Sequence, residues 1–410
     1  MSRSIRVRMY RPGFGDCFLL SFGPTKSARH VLIDFGVHQH GEIGTMPAIM
    51  EDIEETTDKH LCLMIATHQH RDHISGFGEF AERFGKFTIG EVWMPWTDDP
   101  GNSAAVAFQK KQLLLYDRLH MHLAAVPAAV GGQTYADALV ALDNLRGNEA
   151  ARVALQHGFG TGALVRYFKG STSGVTLPDL PGLSVEILGP PADEAALGRM
   201  NPPADQRFLT APGSPDGRLR PFPRLEIAVG DQDYQDIVKE GQPVLSDPER
   251  TELGLAVDTP ADRLALALEN VRNNTSLVAL FRYQGWVLLF PGDAQWGNWQ
   301  SWIGTDHGKD LLGQVDFLKV AHHGSENATP VDVERALRAS GLAVMVPTQV
   351  TPFATIPRIP LIKKLEQHCK GGVAVRSDWI DVKGAPSAPE AKPKLPKGYQ
   401  AGDLWIDYSL

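Results

Sequence analysis

The chain has 410 residues, of which 43% are hydrophobic and 21% charged, with a formal net charge of −8. This composition suits a globular chain with a large core, and the acidic balance excludes a surface coated in positive charge for duplex DNA, while a local basic groove stays open. Three cysteines (Cys17, Cys62, Cys369), far apart and odd in number, exclude a disulfide framework and point to a reducing compartment. The opening "MSRSIRVRMYRPGFGDCFLLSF" alternates in charge and reads as a first strand rather than a signal peptide. No apolar run approaches the roughly 20 residues of a membrane helix, so the expectation is a cytoplasmic protein with no membrane partner.

In chain order, "SIRVRMY" alternates like a strand with one wet face, "GFGDC" punctuates it, and "FLLSFG" and "HVLIDFG" continue a β-meander. Residues 47–56 have a helical pattern. "LCLMIATH" is a buried strand, "HISGFGEFAERFG" the helix after it, and "TIGEVWMPW" another strand. From residue 97 to 170 the chain is rich in alanine and leucine at helical spacing and reads as a helical insertion. "GLSVEILGPP" returns to strand. Residues 191–256, rich in proline, aspartate and glycine, read as a surface insertion. "TSLVALFRYQGWVLLFPGD" is a buried hairpin, "VDFLKVAHHGS" and "GLAVMVPTQ" are further strands, and residues 360–369 a helix. A Pro/Lys linker at 383–398 precedes a closing strand, "DLWIDYSL". Strands at both ends with helices between predict one α/β domain over 1–410, two packed sheets with helices outside.

Three strands deliver ionisable groups at their carboxyl ends, where open α/β sheets place their ligands. "IATHQHRDH" carries His68, His70, Asp72 and His73, "LLFPGD" carries Asp293, and "FLKVAHHGS" carries His322 and His323. Imidazole and carboxylate suit divalent zinc, manganese or iron. Alternate residues of an extended segment point the same way, so His68 and His70 can share one metal. Where the loop turns into the helix, Asp72 and His73 can face a second. Asp293 can bridge both, and His322 completes the second site. Two metals roughly 3.5–4 Å apart can hold a hydroxide between them at neutral pH, a nucleophile for phosphorus or carbonyl centres.

"HQHRDH" resembles the HxHxDH signature of the metallo-β-lactamase fold superfamily. Together with "GFGDCFLLSF", "HVLIDFG", "NNTSLVALFRYQGWVLLFPGDAQ" and "FLKVAHHGSENATP", in this order, it is similar to the hydrolase domain of ComEC-type bacterial DNA-uptake proteins and its free-standing relatives. The resemblance implies an αββα sandwich with two divalent metal ions, zinc or manganese, at one edge of the sheets. It implies His68 and His70 on the first metal, Asp72 and His73 on the second, Asp293 as the bridging carboxylate, His322 as the last histidine, and Asp34 as a support of the ligand loop. Many superfamily members carry a further first-metal histidine. This chain offers a polar segment there instead, with Asn273, Asn274 and Ser276. The implied activity is a metal-dependent hydrolase of phosphodiesters, with single-stranded nucleic acid or a nucleotide as substrate and Asp72 and His323 as catalytic residues. The alternatives are hydrolysis of an ester, lactone or β-lactam on the same site, or a degenerate relative whose site only holds structure.

Blander readings stand beside these. His323 is a ligand in place of His322, a proton donor to the leaving group, or a packed side chain. Ser325 caps the turn after HHG or serves the site. Asp16 is a turn aspartate or a functional one. His120 and His122 lie on a helix surface. Trp296, Trp299 and Trp302 form a core face at helical spacing. The glycine-rich 157–162 segment follows a helix rather than a buried strand, the wrong setting for a phosphate loop.

Overall fold

A computed structural model of the chain describes residues 5–41, 43–124, 139, 142, 148–208, 271–349, 356–378 and 394–410. Its strands are β1 (Ile5–Tyr10), β2 (Gly13–Phe14), β3 (Cys17–Phe22), β4 (Arg29–Phe35), β5 (Gln39–His40), β6 (His60–Ile65), β7 (Thr88–Pro95), β8 (Leu164–Phe168), β9 (Thr172–Leu177), β10 (Leu180–Gly189), β11 (Val278–Tyr283), β12 (Trp286–Phe290), β13 (Phe317–Lys319), β14 (Ala343–Val346), β15 (Val375–Arg376), β16 (Tyr399–Ala401) and β17 (Trp405–Ser409). They form an eight-stranded sheet in the order β16-β17-β1-β3-β4-β6-β7-β8 and a seven-stranded sheet in the order β15-β14-β13-β12-β11-β10-β9. Short β2 and β5 pair separately.

The sheets meet face to face. Val7, Phe18 and Leu63 of the first and Val185, Phe281 and Phe290 of the second belong to one buried cluster. Phe290 lies with its ring 5.5 Å from Phe18 and 5.4 Å from Phe317. The outer face of the first sheet packs its leucines and methionines on helices Met46–Thr57 and Arg71–Glu79. The outer face of the second packs on Trp296–Ile303, Asp306–Gln314 and Ile359–His368. Trp299 and Trp302 are buried in that layer. The architecture is therefore the αββα sandwich of the metallo-β-lactamase fold, and it follows from strands such as "LCLMI" that are apolar on both faces.

The first and last strands pair antiparallel, with Arg6 opposite Ser409, and Arg8 holds Asp407 through Nε at 2.8 Å. In each sheet the strands carrying the suspected loops run parallel, β4 beside β6 and β12 beside β13. Their carboxyl ends therefore open at one edge.

The segment 97–170 is not helical throughout. Ser103–Ala124 and Glu149–Gln156 are helices, but Leu164–Phe168 pairs parallel with β7 as an edge strand. Its "LVRYF" is β-branched and aromatic, and that preference wins once the neighbouring edge offers hydrogen bonds. His120 stacks on Tyr116 on the first of these helices. The side chain of His122, residues 209–256 of the Pro-rich insertion and residues 383–393 of the linker lie outside the described residues.

His30, opposite Ser21 in the β3–β4 pair, is 8% exposed with Nδ1 3.1 Å from Ser21 Oγ. Burial, reinforced by Arg6, His60 and Arg29, pushes its pKa down to about 4. The unfolded chain takes up this proton near pH 6.5 and the folded chain only near 4, so the neutral imidazole's contribution is complete above 6.5 and is lost as pH falls toward 4. His30→Asn is expected to remove this part of the acid sensitivity, up to roughly 3 kcal/mol by linkage. Urea unfolding of both proteins at pH 7 and pH 4.5 checks it. An equal stability difference at the two pH values contradicts it.

Candidate metal centre

Six chain segments converge at the open edge. β4 ends at Asp34, which adopts a left-handed φ of 55°. Gly36 follows, and a Cβ there would lie 2.5 Å from the backbone of Asp72 and His73, so the close approach of the two loops needs glycine. The loop after β6 supplies Thr67 to His73, and the helix Arg71–Glu79 then begins with Asp72 in its first turn. Asp16 follows the β2 turn and donates its backbone N–H to Asp72 O at 2.8 Å. The second sheet contributes Asn273 to Ser276 before β11, Asp293 after β12, and Lys319 to Ser325 at and beyond β13. His322 and His323 both have left-handed backbones, with φ of 43° and 53°. Such strained non-glycine residues concentrate where a structure over-determines a functional geometry.

Three imidazoles are anchored through Nδ1, leaving Nε2 to face inward. His73 Nδ1 donates to Asp34 Oδ2 at 2.7 Å, and Asp34 in turn accepts from Thr67 N–H and Oγ1–H at 2.7 and 2.8 Å. His323 Nδ1 donates to Pro347 O at 2.9 Å. His68 Nδ1 lies 3.2 Å from Thr67 Oγ1 and 3.3 Å from Ser276 Oγ. Such outer partners set the tautomer and ring orientation that a metal ligand needs.

The inward atoms then gather in two groups. His68 Nε2 and His70 Nδ1 stand 3.0 Å apart. Asp72, His73, Asp293 and His323 each offer one atom within 4.8 Å of the others. Within that group His73 Nε2 lies 3.1 Å from Asp293 Oδ2, and His323 Nε2 lies 3.0 Å from Asp72 Oδ2. Donors sharing an ion at about 2.1 Å stand roughly 3.0–3.4 Å apart, which is what these pairs show. Asp72 Oδ1 is buried with no hydrogen-bond partner, and His73 Nε2 and Asp293 Oδ2 are buried with only their 3.1 Å approach to each other, an expensive arrangement for a protein that binds nothing there. The donor set fits divalent metal.

The electrostatics divide the two groups, neutral rings at His68 and His70 and mutually charged partners in the four-residue cluster. Burial, then His73 and His70, push His68 well below the usual histidine range, and burial takes His70 down to about 3, so both rings are neutral donors. Burial is the largest single influence on Asp72 and Asp293 and opposes their charge, but His73 together with His323 at Asp72, and with Lys319 and His323 at Asp293, outweighs it, and both stay ionised. At His73 burial is likewise outweighed, by Asp293, Asp16, Asp34 and Asp72, which raise its pKa.

His322 and His323 differ in their distance from the four-residue group. His323 is the one in the four-residue group. His322 lies with Nε2 4.0 Å from Asp293 Oδ2 and 3.5 Å from Asn273 Nδ2, while its Nδ1 is 2.9 Å from Ser325 Oγ. Consecutive left-handed residues turn their side chains away from the alternation of a strand, so the second histidine of the pair reaches the cluster.

The remaining candidates separate by contact. Ser276 accepts from Asp293 N–H at 2.9 Å beside His68. Asp16 sits 3.5 Å from His323 Nδ1 and pairs with Lys319. Ser325 reaches His322 and Asn327. Asn274 does not serve the ligands: its Oδ1 accepts from the N–H groups of Gln295 and Asn298, and its Nδ2 donates to the carbonyls of Leu197 and Arg199. It braces the backbone, as buried asparagines do when every polar atom must be satisfied.

Sequence reasoning missed Lys319, Thr67 and Arg272. Lys319 is 2% exposed, donates to Gly292 O at 2.8 Å and lies 3.2 Å from Asp293 Oδ1. It occupies one oxygen of Asp293 and leaves the other to the cluster. Burial opposes its charge, and Asp16 and Asp293 outweigh that and raise its pKa. The available signal was a lone lysine in the apolar run "DFLKVA", since lysine is almost never fully buried unless paired. Arg272 donates to Gln69 Oε1 at 2.8 Å, and Asn148 donates to Gln69 O at 2.7 Å, so the residue between His68 and His70 is clamped from both sides.

Residues 10–131 match the family model of the metallo-beta-lactamase superfamily. The matched range includes Asp16, Asp34 and the His68–His73 loop, and ends before Asp293 and the two histidines after β13. No curated protein matches the chain. Among the described residues no helix is long and apolar enough to cross a membrane.

Proposed function

We propose, from the superfamily match and the convergent His/Asp clusters, that the protein is a metal-dependent hydrolase of phosphodiesters acting on single-stranded nucleic acid or nucleotides. The observation that carries the hydrolase reading is the convergence of buried His73, Asp72, Asp293 and His323 atoms on one another beside the His68–His70 pair. Support for phosphodiesters over carboxylic esters, lactones or β-lactams comes from the sequence segments similar to ComEC-type hydrolase domains. In this reading His68 and His70 would hold one zinc or manganese ion and Asp72, His73 and His323 a second, and Asp293, beside His73, would be the carboxylate serving both. A divalent ion bound there would polarise the phosphoryl oxygens and provide a nucleophile at neutral pH from water.

The chain's own residues supply the rest. Asp34 and Thr67 hold His73 and His68 in the productive ring orientation. Lys319 balances the carboxylates of Asp16 and Asp293, so that four acidic groups can share a buried site. His322, outside the metal cluster, keeps a neutral ring with its pKa near 4 through burial, and Ser325 and Asn273 fix its direction. It is placed to orient a substrate oxygen rather than to carry a proton at neutral pH. The domain reading over 1–410, with insertions at 97–170 and 191–256, belongs to the same proposal.

The test is direct. Purified protein is expected to contain one to two equivalents of divalent transition metal, to cleave bis(p-nitrophenyl) phosphate and single-stranded DNA, to lose both activities to a chelator, and to regain them with manganese or zinc. Robust lactone or β-lactam turnover with no phosphodiester cleavage under any added metal would overturn the substrate class.

A further inference from the structure

Beside the His/Asp cluster lies a polar cavity, of about 30 Å³, walled by Arg11, Gly41, Thr348, Gln349 and Asp378. Arg11 is 2% exposed, and only its Nε is engaged, donating to Ser377 O at 2.5 Å. Both terminal nitrogens, Nη1 and Nη2, are buried without a hydrogen-bond partner, and so is Thr348 Oγ1. Asp378 does not pair with Arg11; its two oxygens accept from Arg376 Nε and Nη2 at 2.9 and 2.6 Å. A guanidinium enclosed with four unpaired N–H groups is a costly feature unless an anion meets it.

The wall is shaped for an occupant. A Cβ on Gly41 would stand 2.7 Å from Gln349 Oε1 and fill the space. The planar guanidinium fork matches oxyanions through two parallel bonds, and a threonine hydroxyl adds a third donor. The cavity is too small for a nucleoside, since drug-sized pockets begin at about 300 Å³.

Its position ties it to the metal centre. Thr348 follows Pro347, whose carbonyl holds His323. Arg11 precedes the β2 turn, where the Phe14 ring packs 4.2 Å from the His323 ring. Both walls of the cavity thus adjoin residues that touch one imidazole of the cluster.

We infer that this cavity is an oxyanion site for a phosphate group, held by Arg11 Nη1 and Nη2 and Thr348 Oγ1. Resting on the phosphodiesterase reading, it takes the phosphate that neighbours the scissile one, so that the enzyme prefers substrates with at least two phosphates. Burial, opposed by Asp378, lowers the Arg11 pKa to about 10, which leaves the group cationic at neutral pH.

Two measurements on the full-length, metal-loaded protein test this. The first is a tungstate soak of crystals read by anomalous scattering, with isothermal titration of inorganic phosphate in parallel. An anion peak between Arg11 and Thr348 is expected in the wild type. Arg11→Gln is expected to lose the peak with its metal content unchanged, and Thr348→Val, which keeps the shape and removes the hydroxyl, to weaken phosphate binding by a smaller factor. A peak at the metal cluster alone, or phosphate binding at the Arg11 cavity unchanged in both variants, overturns the site. The second compares KM for a dinucleotide bearing a 5′-phosphate with KM for bis(p-nitrophenyl) phosphate. Arg11→Gln is expected to raise the first by about tenfold more than the second, the scale of a lost hydrogen bond to a charged group. Equal effects on both substrates overturn the assignment to the flanking phosphate. Anion binding at Arg11 in a protein that cleaves no phosphodiester leaves the site standing and defeats the proposed function instead.

Discussion

Replacing Asp293 with alanine is expected to strip most of the divalent metal from the purified protein and abolish hydrolysis. Asp293 Oδ2 lies 3.1 Å from His73 Nε2 and 3.7 Å from His323 Nε2, and Oδ1 lies 3.2 Å from Lys319 Nζ. The carboxylate therefore joins the ligand cluster to the lysine that neutralises it. Outer partners of metal ligands cost roughly 10–100-fold when removed, so a residue inside the cluster should cost more. Removal also leaves Lys319 with Asp16 as its remaining carboxylate neighbour. To separate chemistry from folding, Asp293→Asn keeps the volume and is expected to retain cooperative unfolding while losing metal and activity. Full metal occupancy in either variant, measured by elemental analysis after dialysis, contradicts the bridging role.

A second large effect distinguishes the adjacent histidines. His323→Ala is expected to lower metal content by about one equivalent and to reduce turnover by more than 100-fold, on the scale of losing a group that acts inside the site. In contrast, His322→Ala is expected to keep its metal, because His322 Nε2 stands 4.0 Å from Asp293 Oδ2 and its ring is tied to Ser325 and Asn273. Its loss should appear in KM or kcat with metal content unchanged. Metal loss in His322→Ala and retention in His323→Ala would restore the assignment drawn from the sequence motif. His323 Nδ1 is consumed by Pro347 O, so its Nε2 is directed to Asp72.

Much of this protein was legible in local pattern. Apolar runs that stop at an ionisable residue mark strand ends, and "LCLMIATHQHRDH", "WVLLFPGD" and "DFLKVAHHGS" each show it within a dozen residues. Strand alternation placed His68 and His70 on the same side, and their donor atoms stand 3.0 Å apart. Tertiary structure decided what such patterns do not encode. Pairing of Arg6 with Ser409 joins opposite ends of the chain, and the "LVRYF" strand forms only because the edge of β7 is there to bond it. Asn274 has the composition of a site residue but its contacts come from Gln295, Asn298, Leu197 and Arg199, all distant in sequence. Lys319 gains its role from Asp16, some three hundred residues earlier, and Arg11 gains its cavity from Thr348. The different directions of His322 and His323 go with two consecutive left-handed residues and with the contacts of the His323 ring to Pro347 and Phe14. The sequence determines which donors exist and on which strands. The directions in which those donors point are set by long-range contacts that become available only once the two sheets close on each other.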